Sequence, residues 1–279
     1  MLQKDVLQSQ NVQNTMLLPL WGRATVSQLY PGLLRDEEAV RIVEHLQYDF
    51  NAIAKNFGEY GMLNFAIRAR KFDDAIRCYL ASHPEATVVN IGAGMDTTFS
   101  RVDNGKIKWY DLDLPDAIAF RQVLIPESNR NKCIAKSVFD YSWLENIEYD
   151  TRKGALLISG GVFYYLDPLR IKELIFHMAE KFPGGLLVFD AESPLGLSIA
   201  NHMVKKSGNR GAEMIFAIKN PAVIKTWSPR IVSVKAEPYH KGIRRDKKWS
   251  LLTRLGMSLG DFLCMIWIIS VSFAEESAS

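Results

Sequence analysis

The chain has no hydrophobic run long enough to cross a bilayer. Its longest apolar stretch, Phe262 to Phe273, covers about 12 residues, whereas a spanning helix needs ~20. That stretch is expected to be a buried strand, and no membrane partner is expected. Charge of one sign is also missing: 34 basic side chains stand against 31 acidic ones, a formal net charge of +3. The balance predicts no nucleic-acid partner, and the densest basic cluster, Lys241 to Lys248 (KGIRRDKK), reads as a solvated loop or helix start. Cysteine is scarce. Cys78, Cys133 and Cys264 fit no zinc spacing and no CxxC pair. An odd count behind a polar N-terminus (MLQKDVLQSQNVQNT) predicts reduced thiols in the cytoplasm, each packed as a small hydrophobe. Repeats are absent, which excludes solenoids and propellers. His45, His83, His177, His202 and His240 are scattered, so they read as structural or surface groups and no metal is expected.

What is present is ordinary globular material, 48% hydrophobic and 23% charged. The chain is long enough to bury close to ~75% of its unfolded surface. The part up to about Pro84 reads as helical. Asp36 is an N-cap candidate for EEAVRIVEHL, and a second helical stretch runs from Tyr60 to Leu80. Beyond it, short apolar runs alternate with helical segments. Thr87–Ile91, Ile107–Leu112, Lys132–Val138, Ala155–Ser159 and Leu186–Asp190 are the strand candidates. Asp167 and Pro168 are placed as N-cap and first residue of a helix reaching Lys181. Alternating β and α elements imply an α/β doubly wound, mostly parallel sheet. Ile231–Ala236 and Met265–Phe273, flanking a helical Lys247–Met257 region, are expected to close the sheet edge as a hairpin-like pair. This divides the chain into a helical cap, 1–84, and a core, 85–279.

The strongest motif is VVNIGAGMDT, Val88 to Thr97. A strand runs into a tight turn at Gly92, Ala93 and Gly94, and a helix is expected near Asp96. Glycine serves where backbone turns sharply or must touch a ligand without a Cβ between. In doubly wound sheets ligands lie past the carboxyl ends of the strands. Asp111 and Asp113 end the next strand about 20 residues on, the distance at which a carboxylate accepts ribose hydroxyls; either could instead cap the helix after Pro115. The dinucleotide pattern fails at its third glycine, which is Thr97, and Asp96 stands where a pyrophosphate would approach. A carboxylate repels phosphates but tolerates a sulfonium and an ammonium. The reading is therefore S-adenosyl-L-methionine rather than a nicotinamide. Phe139 or Val138, ending the third strand, is the candidate for the adenine ring, and Asp140 for its amino group.

These segments occur together with PLWGRA (Pro19–Ala24), WYDLDLP (Trp109–Pro115), SVFDYSWL (Ser137–Leu144), GGVFYYL (Gly160–Leu166) and KFPGGLLVFD (Lys181–Asp190). In this order the sequence resembles the leucine carboxyl methyltransferase superfamily, and within it the bacterial branch of tetracenomycin-type O-methyltransferases. The resemblance covers nearly the whole chain. It implies a class I methyltransferase, Rossmann-like, with a seven-stranded sheet and a helical N-terminal cap that helps form the substrate pocket. It implies that Gly92 and Gly94 underlie the methionine part of the cofactor, that Asp113 takes the ribose, and that Phe139 and Asp140 border adenine. An arginine of the preceding helix, Arg68 or Arg70, would bind the cofactor carboxylate. Gly160 stands where the family often has a glutamate facing the reaction centre. Arg23 and Tyr165 are the candidates for positioning an acceptor. The acceptor is expected to be a small molecule carrying a carboxylate or a phenolic hydroxyl. A protein C-terminal carboxylate and a cofactor-binding module without catalysis are the alternatives.

Overall fold

The computed structural model describes residues 10–46, 48–206 and 213–276; the polar stretch 1–9 lies outside them. Seven strands form one sheet: β1 (Thr87–Ile91), β2 (Lys108–Asp113), β3 (Asn131–Ala135), β4 (Ala155–Ser159), β5 (Leu186–Glu192), β6 (Ile231–Pro238) and β7 (Ile266–Phe273). Their spatial order is β3-β2-β1-β4-β5-β7-β6. The first five pair in parallel. β7 pairs antiparallel with both β5 and β6, so the hairpin-like closing pair is present. β1 and β4 are buried along their whole length, as central strands covered on both faces must be.

Among the described residues three helices precede the sheet: α1 (Gln10–Leu29), α2 (Glu37–His45) and α3 (Phe50–Ser82). Asp36 caps α2, its carboxylate accepting the Ala39 N–H. α3 is interrupted at Gly58, where φ is +57° and ψ −173°, a conformation an L-residue rarely adopts. The continuous stretch that follows matches the expected helix from Tyr60. Along the chain come α4 (Thr98–Val102), α5 (Pro115–Leu124), α6 (Pro168–Lys181), α7 (Pro194–Lys206) and α8 (Leu251–Phe262). Asp167 caps α6 through the N–H groups of Leu169 and Arg170, with Pro168 at the first helical position.

Two layers of core flank the sheet. On one face, Ile91, Leu157, Phe163 and Phe189 pack with Ile171, Leu174 and Met178 of α6. On the other, Val88, Leu156, Ile158 and Val188 pack with Leu63, Ile67, Phe72 and Ile76 of α3. Alternation along β5 decides which side chains reach α3. Val188 does, so Asp190 and Glu192, two and four residues on, point the same way.

Three expectations need correction. Phe262 and Leu263 are not part of a buried strand: Phe262 ends α8 82% exposed and β7 begins only at Ile266. Cys78 is not a buried hydrophobe but sits exposed on α3. The helix after the glycine turn starts at Thr98, with Thr97 in the cap position, because the Asp96 carboxylate is engaged with the Asn90 amide and the Thr98 hydroxyl.

Candidate active site

The carboxyl ends of β1, β2, β4 and β5 converge on one edge of the sheet, and the glycine turn lies there. Gly92 and Gly94 both have positive φ, +70° and +43°. A Cβ on Gly92 would fall 2.3 Å from Val162, so glycine is required there twice over, by φ and by space. The turn is laced to the end of β2. Leu112 O accepts the N–H groups of Gly92 and Ala93, and Asp113 Oδ2 accepts the Gly94 N–H at 2.7 Å. Its successive carbonyls are held by two buried arginines: Arg121 Nη1 donates to Gly94 O and Asp96 O, and Arg23 Nη2 donates to Met95 O. On the outer side, Met16 of α1 would lie 3.4 Å from a Cβ on Gly94.

Neither aspartate caps the helix after Pro115, whose N-cap position is Leu114 with no side-chain bond. Asp111 is fully buried and satisfied by Arg121, Asn90 and the Trp109 indole N–H. Asp113 lies at the strand end, beside the turn, and Oδ1 takes the Leu114 N–H. Burial raises its pKa despite those backbone bonds, while each carboxylate oxygen keeps a lone pair for a further donor.

Behind the turn lies a cluster of buried charge. Asp36 accepts hydrogen bonds from Arg23 Nε at 2.9 Å, Arg101 Nη1 at 2.7 Å and the Thr97 hydroxyl. Arg101 in turn forks onto both oxygens of Asp73. Arg23, expected beside an acceptor, is thus 5% exposed with its guanidinium taken up by Asp36 and Met95.

Arg68 and Arg70 separate cleanly. Arg70 points outward and pairs with Asp74 one turn on, both about half exposed. Arg68 reaches the sheet edge. Its guanidinium occupies the place where a Cβ of Gly161 would be, 2.4 Å from that point, and Gly161 has φ +78°. Nη1 lies 3.6 Å from Asp190 Oδ2. Gly160 is different: its φ needs no glycine, and a Cβ would make ordinary contacts with Phe72 and Arg68 at 3.5–3.7 Å.

Around Arg68 stands a set of groups that the motifs did not flag. Asp190 is fully buried and Glu192 is 7% exposed. Glu192's acid is pushed up to about 8, by burial first and then by the Asp190 charge. The Tyr164 and Tyr239 hydroxyls are raised well above their usual range, again by burial first. Tyr239 donates to Asn64 O. His240 stands between Asn64 Oδ1 and Asp261 Oδ1, and burial drives its pKa down to about 4; it is a neutral structural group. Tyr165 is 42% exposed at the rim of this region, edge-on to Tyr164. The overlooked signal was two acids, two residues apart, ending an otherwise apolar strand.

Phe139 and Asp140 follow β3. Arg170 covers one face of the Phe139 ring at 3.7 Å. Asp140 is exposed and caps the 3₁₀ turn Tyr141–Asn146, accepting from Ser142 N–H and Oγ–H. Among the described residues no group of His, Cys, Asp and Glu is placed to hold a metal ion.

Residues 17–179 match the leucine carboxyl methyltransferase family. The chain belongs to that family. Its members use S-adenosylmethionine as methyl donor, and this member is a methyltransferase. The chain is similar to the tetracenomycin polyketide synthesis O-methyltransferase TcmP of Streptomyces glaucescens, 28% identical over 249 residues, covering 89% of this chain and 86% of that one. Its fold is similar to that of a candidate methyltransferase of Thermobifida fusca (TM-score 0.56, 13% identity, 91% and 94% coverage). A SAM-dependent methyltransferase of Anabaena variabilis is also similar (TM-score 0.51, 12% identity, 75% and 85% coverage). The residues present suit such a cofactor. The two arginines at the turn are taken up by its own carbonyls, the Asp113 carboxylate lies beside it, and one buried carboxylate oxygen, Asp190 Oδ2, has no hydrogen-bond partner.

Proposed function

We propose that this chain is an O-methyltransferase that moves the methyl group of S-adenosylmethionine to a carboxylate or phenolic oxygen of a small organic acceptor. The observation that carries this reading is the cluster of buried polar groups between α3 and the carboxyl ends of β4 and β5, where Arg68, Asp190, Glu192, Tyr164 and Tyr239 influence one another's charge. The likeness to TcmP, an O-methyltransferase of polyketide synthesis, supports an oxygen acceptor. When bound, the cofactor supplies an electrophilic methyl group on a cationic sulfur, so orientation is the protein's main task.

In this reading Gly92, Ala93 and Gly94 give the cofactor a backbone surface, held rigid by Arg121 and by Arg23, which is here a positioning residue. Asp113 accepts the ribose hydroxyls. Phe139 borders adenine, with Asp140 near the amino group, and Arg68 binds the carboxylate. Gly160, beside Arg68, lies against the cofactor. Tyr165, at the rim, contacts the acceptor. Residues 1–84 serve as the cap over the acceptor and 85–279 as the cofactor-binding core. Glu192 is the candidate base: ionised, it takes the proton of a phenolic hydroxyl as the O–CH₃ bond forms. A carboxylate acceptor arrives without that proton and needs no base. No described helix is long and apolar enough to cross a membrane, and the three thiols are free; both fit a cytoplasmic enzyme.

The test is calorimetry with S-adenosylmethionine and S-adenosylhomocysteine, followed by methyl-transfer assays on a panel of phenols and aromatic acids. Binding plus transfer to oxygen is expected. Binding with no transfer to any acceptor would instead indicate a cofactor-holding module. With a phenol, the rate should climb with pH through about 8, where Glu192 ionises; with a carboxylate that rise should be missing.

A further inference from the structure

Buried carboxylates are normally saturated with hydrogen bonds, because an unpaired buried charge is costly. Asp36 and Asp111 obey this rule. Asp190 does not. Its side chain is fully buried and Oδ1 accepts the Gly161 N–H at 2.7 Å, yet Oδ2 has no hydrogen-bond partner. The nearest cation, Arg68 Nη1, stands 3.6 Å away, beyond hydrogen-bond length.

The sheet register explains where that oxygen lies. Phe189 pairs with Ser159, so Asp190 sits one step further along, beside the Gly160–Gly161 turn, where neither residue carries a side chain. β4 neighbours β1 directly, which brings this spot next to the Gly92 turn. One guanidinium and one half-satisfied carboxylate therefore lie side by side at the carboxyl ends of β4 and β5, next to the glycine turn on which the proposed cofactor would rest. The amino-acid end of that cofactor carries one carboxylate and one ammonium.

We propose that Arg68 and Asp190 form a zwitterion clamp in which Asp190 Oδ2 binds the α-ammonium of the cofactor while Arg68 takes its carboxylate. The assignment rests on the methyltransferase reading above. In it the 3.6 Å pair is held slightly apart so that each member gains an ionic partner when the ligand arrives, and charge-assisted bonds form on both sides.

The experiment compares S-adenosylhomocysteine with its deamino analogue, in which hydrogen replaces the amino group, by calorimetry on the wild-type chain and on Asp190→Asn. The wild type should bind the deamino compound about 10- to 100-fold more weakly, as expected for losing a hydrogen bond between charged groups. Asp190→Asn should weaken S-adenosylhomocysteine by a similar factor and leave the deamino affinity within about threefold of wild type. A merely structural Asp190 would weaken both ligands alike, and that result overturns the clamp. The wild-type comparison needs no variant: equal affinities for the two ligands overturn the clamp even if Asp190→Asn does not fold. Failure of the wild type to bind S-adenosylhomocysteine at all would overturn the cofactor reading itself, a different and recognisable outcome.

Discussion

Two clusters of buried charge lie on the same edge of the sheet, and they are built differently. Behind the glycine turn, Asp36, Arg23, Thr97, Arg101 and Asp73 bond one another, and Arg121 with Asp111 completes the set. At the ends of β4 and β5, Arg68 and Asp190 stand apart, Asp190 keeps an unbonded oxygen, and Glu192 is held nearly neutral. In the first cluster every carboxylate oxygen is bonded, though Arg121 Nε is left without a partner, and its work is to fix the backbone of the turn. The second is a site in waiting. The difference teaches that a carboxylate left with an unbonded oxygen, rather than buried charge alone, sets the proposed site apart.

That contrast can be broken from the saturated side first. Asp36→Ala leaves Arg23 and Arg101 without their shared carboxylate and removes the α2 cap; it should cost about 3–5 kcal/mol, read as a lower denaturant midpoint. On the unsaturated side the sign reverses. Glu192 holds its proton up to about pH 8 in the folded chain but ionises near 4.5 when unfolded. Its contribution to stability is therefore full below 4.5 and is lost as pH rises towards 8. Glu192→Gln should remove that loss and raise stability above pH 8, by on the order of a few kcal/mol, with no gain at pH 4; melting curves across pH check it. Arg68→Gln should weaken S-adenosylhomocysteine by about 1.5–3 kcal/mol in calorimetry. The smallest effect sharpens the comparison: Arg70→Ala breaks only an exposed pair and should change stability and affinity by less than about 0.5 kcal/mol.

Much of the fold was legible because its signals are local. β1 and β4 match their apolar runs residue for residue, and the Asp36 and Asp167 caps are one-residue signals followed by helix-forming text. β3 was read slightly late because it is an edge strand with Lys132 exposed and a mixed burial pattern. The site divided along the same line. Gly92, Gly94 and Asp113 belong to contiguous motifs and do meet, through the bond from Gly94 N–H to Asp113. Arg23 was given an acceptor role because nothing in PLWGRA reveals that Asp36 and Met95 hold it. Arg68 could not be told from Arg70 until the helix rotation placed one over Gly161 and the other in water. Asp190 closed a recognised motif without a role, since a missing hydrogen bond has no sequence signature.

The strand order also governs how the molecule must be assembled. Among the described residues β6 pairs only with β7, which follows it in the chain and is inserted between β5 and β6. While the polypeptide is being made, β5 keeps a bare flank and β6 has no neighbour until β7 arrives. These non-local pairings are slow to form, so the half containing the glycine turn can consolidate early while the flank of β5 stays open to stray strands. Joining of β7 is the event that completes the sheet, and it fixes the strand on which Asp190 and Glu192 are carried.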